Sequence, residues 1–216
     1  MGYIKKASKY DILIIKEKFI EKYSNAVTEL SYKNNYELLV AIILSAQCTD
    51  KRVNIITPAL FSKYPTTKEL ANANLEETKE LLKSCSFFNN KAKNIIKMAN
   101  SIEDNFNSTI PKNTKDLMSL AGVGNKTANV FMIESEGANL MAVDTHVFRV
   151  SHRLGLSDAK TVDKTEEQLV KKLKNDLHIF HQSMVLFGRY ICKAVNPNCE
   201  KCLFPEQCKT TKTFKV

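Results

Sequence analysis

At 216 residues the chain is long enough for one large or two small domains with real cores. No apolar run approaches the length of a membrane helix, which excludes a spanning segment and makes a soluble protein without a membrane partner the expectation. A balance of 32 Lys and Arg against 23 Asp and Glu gives a formal net charge of +9 and a pI near 9.2, and points to a polyanionic partner. Nearly all of that charge is lysine; the only arginines are Arg52, Arg149, Arg153 and Arg189. Lysine acts on phosphate as a point charge, whereas arginine reads guanine edges in a bidentate way, so the balance suits sequence-tolerant backbone binding. A genome that swaps arginine for lysine would produce the same excess.

Helical signals dominate and convincing strand alternation is absent, so the predicted fold class is all-α. Tyr36 to Cys48 is a continuous apolar run, too long for most strands, and reads as a buried helix. Thr66-Thr67-Lys68-Glu69 and Asn74-Leu75-Glu76-Glu77 both have capping-box spacing, with Leu75, Thr78, Leu81 and Leu82 following helically. Asn90 is expected to open another helix, with Ala92, Ile95, Ile96, Ala99 and Ile102 on one face. Asn113 or Thr114 caps the next, and Asp163-Lys164-Thr165-Glu166 caps a later one carrying Leu169, Val170, Leu173 and Leu177. Cys48 and Cys85 lie in apolar helical runs and read as small buried hydrophobes.

Between two helical patterns stands Leu120-Ala121-Gly122-Val123-Gly124-Asn125-Lys126-Thr127-Ala128. Gly-Val-Gly there predicts a tight hairpin, its glycines allowing positive φ and close approach of backbone to a ligand. With the second helix beginning near Asn125, free N–H groups of the loop and first turn would form an anion site. Lys126 falls in that first turn, where the positive end of the helix dipole disfavours a second positive charge and so favours a nucleophilic amine. An ordinary helix–helix turn bearing a surface lysine is the plainer account of the same residues. Asp144, in Val143-Asp144-Thr145-His146, immediately precedes a helical pattern and could be an N-cap, a carboxylate aiding sugar chemistry, or both.

Cys192, Cys199, Cys202 and Cys208 form a Cys-x6-Cys-x2-Cys-x5-Cys array in loops containing Pro197, Asn198 and Pro205. No signal peptide precedes the chain, so a reducing cytosol is expected and structural disulfides are not. Thiolates this dense suit a metal centre, and spacing alone leaves both iron–sulfur and zinc open. The plainest role for such a centre is to staple a C-terminal tail too short to build its own core.

The hairpin string followed by Val-Asp-Thr-His resembles the helix-hairpin-helix DNA glycosylases, most closely endonuclease III, whose usual signature is Leu-Pro-Gly-Val-Gly-x-Lys-Thr-Ala. The match extends from about residue 10 to Cys208 and departs at Ala121, where the family often has proline, at Ser86-Phe87, where it often has Gly-Leu, and at Phe187, where it commonly has His. The last departure is expected to affect packing rather than catalysis. The resemblance implies a six-helix domain at about 28–138 and a discontinuous helical domain of 1–27 and 139–216, the two flanking a DNA-binding cleft. It also implies a [4Fe–4S] cluster on the four cysteines, in a loop at 192–208. It further implies a bifunctional glycosylase and AP lyase of base excision repair, with Lys126 and Asp144 catalytic and oxidised pyrimidines in duplex DNA as substrates. Gly122, Val123, Gly124, Asn125 and Thr127 would contact DNA, as would Lys193 in the loop between the first two cysteines. Gln47 would fill the gap left by a flipped nucleotide, and Phe87 would wedge beside the orphaned base. His146 belongs to the matched string as a local hydrogen-bonding residue. The protein is expected to act as a monomer on damaged double-stranded DNA in the cytoplasm, at the nucleoid. A monofunctional glycosylase on the same fold is the nearest rival; a non-catalytic DNA-binding or electron-transfer protein built on the cluster is a second.

Overall fold

A computed structural model describes residues 6–210 and contains, among them, eleven α-helices and no strand. In chain order these are α1 (Lys9–Tyr23), α2 (Asn35–Ser45), α3 (Asp50–Lys63), α4 (Thr67–Ala71), α5 (Leu75–Leu82), α6 (Phe88–Phe106), α7 (Thr114–Met118), α8 (Asn125–Glu136), α9 (Thr145–Arg153), α10 (Val162–Leu173) and α11 (Leu177–Tyr190). The all-α expectation holds. The chain divides into two compact units, one of residues Thr28–Glu136 and one made of the segment up to Val27 together with residues from Gly137 onward.

In the first unit α2 is the central element. Tyr36 to Leu44 are all buried, with Glu37 the one charged residue among them and its carboxylate accepting the Lys33 N–H, and α3, α6 and α8 pack against the helix. Asn34 caps it by accepting the Glu37 N–H at 2.9 Å. The helix stops at Ser45, short of the predicted Cys48, and Gln47 follows with φ +54°. Helix α6 begins at Phe88, two residues before the predicted Asn90. Its first turn is closed by the Phe87 carbonyl, which accepts the Asn90 and Lys91 N–H groups at 3.1 Å. Its apolar face buries Ala92, Ile95, Met98, Ala99 and Ile102, and it ends at Asn107 in the left-handed region.

In the second unit α11 packs against α1 and α9. Thr161, rather than Asp163, caps α10 by accepting the Lys164 N–H; Asp163 lies in the first turn, where its charge complements the helix dipole. Phe187, 1% exposed, forms an aromatic trio with Phe19 of α1 and Phe204 of the cysteine loop, with centroid separations of 4.7 to 5.7 Å. The residue standing where the family has His is therefore a packing residue. Gly188 beside it is dictated by contact, since a Cβ there would meet His146 Cβ at 2.9 Å and Val150 Cγ2 at 3.1 Å.

Ser8 and Asp11 form a reciprocal capping box at the start of α1, and Asp11 also pairs with Lys209 at 2.8 Å. The Lys209 hydrogen bond, followed by the Ser8 amide, holds the Asp11 carboxyl down at about 2 against an ordinary 3.8. A depressed carboxyl stabilises the fold above its unfolded value and loses that contribution as pH falls towards its folded value. Asp11→Asn is therefore expected to lower unfolding free energy by about 1 kcal/mol at pH 7, allowing for solvent screening. Urea titrations of variant and parent should converge as pH falls from 4 towards 2; a deficit independent of pH would contradict this.

Candidate active site

Helix α7 is capped by Asn113, which accepts the Asp116 N–H at 2.9 Å, and the chain then turns through residues 119–124 into α8. Leu120 and Val123 point into the core and anchor the turn from beneath. Gly122 has φ +83°, and a Cβ there would meet Asn94 Cβ of α6 at 3.0 Å, so its glycine is required on both counts. Gly124 does not have positive φ; its would-be Cβ faces open space, which leaves that side of the loop clear for a ligand. The first ladder bond of α8 runs from the Ala128 N–H to the Gly124 carbonyl at 2.9 Å, so the amides of Asn125, Lys126 and Thr127 lie ahead of it. The Val123 amide does not join them, because it donates to the Leu120 carbonyl at 3.2 Å. Asn125 and Lys126 are exposed and Thr127 is half-buried. A loop with open amides beside an accessible amine is suited to holding a phosphate and attacking the sugar next to it.

Two further residues in this unit adopt backbone that side chains rarely take. Gln47, just past α2, has φ +54°, and Phe87, at the start of α6, has φ +57°. Both are exposed, Phe87 by 63%, so the alternative of a core phenylalanine is excluded for Phe87 while Phe88 packs on the core. An exposed aromatic in a strained conformation costs stability twice, and such positions cluster at ligand-contacting sites.

Asp144, in the second unit, is the N-cap of α9. Its Oδ1 accepts the Val147 N–H at 2.7 Å, which fixes the carboxylate while its second oxygen is not spent on the cap. Further along α9, Arg149 donates to the Cys192 carbonyl at 2.9 Å and the Gly188 carbonyl at 2.7 Å. Its Nη2 also lies 3.1 Å from His146 Nδ1; a guanidinium can only donate, so Nδ1 accepts and the imidazole proton sits on Nε2. Burial, then the neighbouring Arg153 charge, lower the Arg149 pKa. Arg153 reaches the Lys193 carbonyl at 2.7 Å, the Ala194 carbonyl at 3.2 Å and Cys192 Sγ at 3.3 Å. Lys193 itself projects outward.

All six cysteines are free thiols. Among the described residues no three Cys, His, Asp or Glu side chains are gathered at metal-binding distance. Cys192, Cys199 and Cys208 nevertheless each lie within electrostatic reach of Cys202: burial first, and then these three thiols, raise the Cys202 pKa. The Phe204 N–H donates to Cys202 Sγ at 3.3 Å, and Arg153 supplies a second such bond to Cys192. Four sulfurs on one loop, with N–H donors aimed at two of them, form a donor set that fits an iron–sulfur cluster.

Sequence reasoning did not single out Lys91, Arg149, Arg153 or Gly188. The signal for the arginines was present, since three of the chain's four fall between residues 149 and 189, at odds with its lysine habit.

The family model of the HhH-GPD superfamily base excision DNA repair proteins matches residues 40–175. Endonuclease III of Rickettsia conorii is 44% identical over 193 residues, covering 89% of this chain and 92% of the relative. Endonuclease III of Bacillus subtilis is 40% identical over 195 residues, covering 89% of each. The solved structure of a trapped endonuclease III–DNA covalent intermediate superposes with a TM-score of 0.86 at 39% identity, covering 94% of this chain and 96% of that one. The chain accordingly belongs to the endonuclease III family of DNA glycosylase/AP lyases, within the HhH-GPD superfamily of base excision DNA repair proteins.

Proposed function

We propose that this DNA glycosylase and AP lyase removes oxidised or ring-saturated pyrimidines, such as thymine glycol, from damaged duplex DNA, with Lys126 as its nucleophile. One observation carries the assignment: an exposed amine stands in the first turn of α8, directly after a hairpin with open amides and a clear glycine face. The neutral amine attacks the sugar C1′; the bond to the base breaks and the base leaves with the bonding electrons and a proton. Ring opening gives a Schiff base, loss of a C2′ proton expels the 3′ phosphate by β-elimination, and water returns the lysine. Asp144 accepts the proton that the ammonium must lose and stabilises positive charge developing at C1′. Gly122, Gly124, Asn125, Thr127 and Lys193 hold the phosphate backbone. Gln47 and Phe87 occupy the stack when the target nucleotide leaves it, a step costing a few kcal/mol. The enzyme works as a monomer, in the cytoplasm on nucleoid DNA.

Cys192, Cys199, Cys202 and Cys208 would hold a [4Fe–4S] cluster, which when bound supplies a structural cross-link rather than bond-breaking chemistry. Cys202→Ala is expected to yield colourless, iron-free protein with lowered thermal stability; an iron-free parent of unchanged stability would remove the cluster from this account.

Borohydride trapping on a duplex with one thymine glycol tests the nucleophile. A covalent protein–DNA adduct is expected for the parent and none for Lys126→Gln. Base release without an adduct would make the enzyme monofunctional, and no action on this lesion or on an abasic site would reject the lyase assignment.

Asp144→Asn separates the two duties of that residue, because asparagine caps a helix as well as aspartate does. Base release should fall about 10²–10⁴-fold while the unfolding midpoint stays close to that of the parent. A matching loss of stability would reduce Asp144 to a cap.

A further inference from the structure

Lys91 is a buried cation that the proposed chemistry leaves without a task. It lies in the first turn of α6 and is 6% exposed. Its ammonium donates to the Leu44 carbonyl at 2.7 Å, the Ala46 carbonyl at 2.6 Å and Cys85 Sγ at 3.2 Å, so three donors meet three acceptors. None of these acceptors is a carboxylate. The negative end of the α2 dipole takes that part, since Leu44 lies in the last turn of α2 and Ala46 is its C-cap.

The positions of the acceptors matter more than their number. Ala46 directly precedes Gln47, and Cys85 stands two residues before Phe87. Both of those residues are held at positive φ, which is strained for a side-chain-bearing residue and persists only where surrounding contacts over-determine the backbone. The carbonyl before one strained residue and the sulfur before the other share a single ammonium. Cys85 also donates to the Leu44 carbonyl at 3.5 Å, and burial keeps its thiol raised and neutral, able to serve as an acceptor.

We infer that Lys91 is a positioning residue for base flipping: by binding the Ala46 carbonyl and Cys85 at once, it holds the turns of Gln47 and Phe87 in the one arrangement in which both enter the DNA stack. This rests on the proposed roles of Gln47 and Phe87. A duplex substrate needs those turns, whereas an abasic site in single-stranded DNA has no stack to open. The enzyme with its cluster is assayed on both, with 2-aminopurine beside a thymine glycol reporting stack opening. Lys91→Met should lose about 10-fold or more in duplex base release and in the fluorescence change, while lyase activity on the single strand stays within about 2-fold. Lys91→Arg, which keeps the charge and the donors, should recover part of the duplex activity. Should Lys91→Met fail to fold, Cys85→Val removes one acceptor and keeps the cation, and the same split is expected at smaller size. Equal losses on both substrates, or none on either, would overturn the inference. Gln47→Ala and Phe87→Ala are run alongside: if neither impairs duplex cleavage, the underlying roles fail rather than Lys91's link to them.

Discussion

Every α-helix ends in carbonyls that its own ladder cannot satisfy, and eleven helices among the described residues multiply that demand. Glycine in the left-handed region is the common remedy, yet this chain has only six glycines. Gly137 and Gly155 serve α8 and α9 in that way, and Asn107 and Lys174 take positive φ after α6 and α10. Elsewhere the carbonyls are met by cations arriving from distant sequence. Lys16 reaches Leu173 at the end of α10 and Lys91 reaches Leu44 in the last turn of α2, while Lys18 and Lys172 meet the loop carbonyls of Leu203 and Leu156. Each such bond satisfies a backbone acceptor, and those to Leu173 and Leu44 place positive charge at the negative end of a helix. The lysine excess therefore has an internal use as well as an outward one, and net charge alone overstates what is offered to a polyanion.

The two units show different relations between rigidity and the exposed residues. In the first, Gly122 sits against Asn94 of α6 and Ile43 of α2, so the hairpin is seated on the helices whose ends carry Phe87 and Gln47. The loops that carry Gln47, Phe87 and Gly122 thus share one packed base. In the second, Asp144 begins α9 and the arginines of its later turns grip the Cys192 loop. The carboxylate and the loop are held by the same nine-residue helix. Disorder in the loop would take from α9 the acceptors of Arg149 and Arg153 and leave it held by its packing on α11.

The hairpin, the buried α2 and the cap at Asp144 were legible because each is written locally, in glycine spacing, apolar continuity and one carboxylate before a helix. The start of α6 was not, because a phenylalanine at φ +57° defies propensity and is imposed by its surroundings. The α10 cap was misplaced by two residues, since Thr161 and Asp163 are both competent caps and only the backbone turn chooses between them. Val123 was named among the residues that would contact DNA; that its amide is already bonded to the Leu120 carbonyl is a detail of turn geometry that a motif does not record. Lys91 was invisible for another reason. Two of its three acceptors lie more than forty residues upstream, with α3, α4 and α5 between, and a lysine amid a lysine-rich sequence gives no sign of being buried.

The scarcity of arginine makes its placement informative. Arg149 and Arg153 between them serve the carbonyls of Gly188, Cys192, Lys193 and Ala194 and the sulfur of Cys192. These acceptors lie at different angles around an irregular loop. A planar fork of five donors can address them together, whereas a lysine offers three donors from a single point at the end of a flexible stem. The weaker hydration of guanidinium also lowers the cost of half-burying it beside the Cys192 thiol. Lysine suffices where the acceptors gather around one point, as the three of Lys91 do, whereas Arg149 and Arg153 serve acceptors spread from Gly188 to Ala194. Between Cys192 and Cys199 the one basic residue, Lys193, is exposed, while the carbonyls of Cys192, Lys193 and Ala194 are turned to the two arginines.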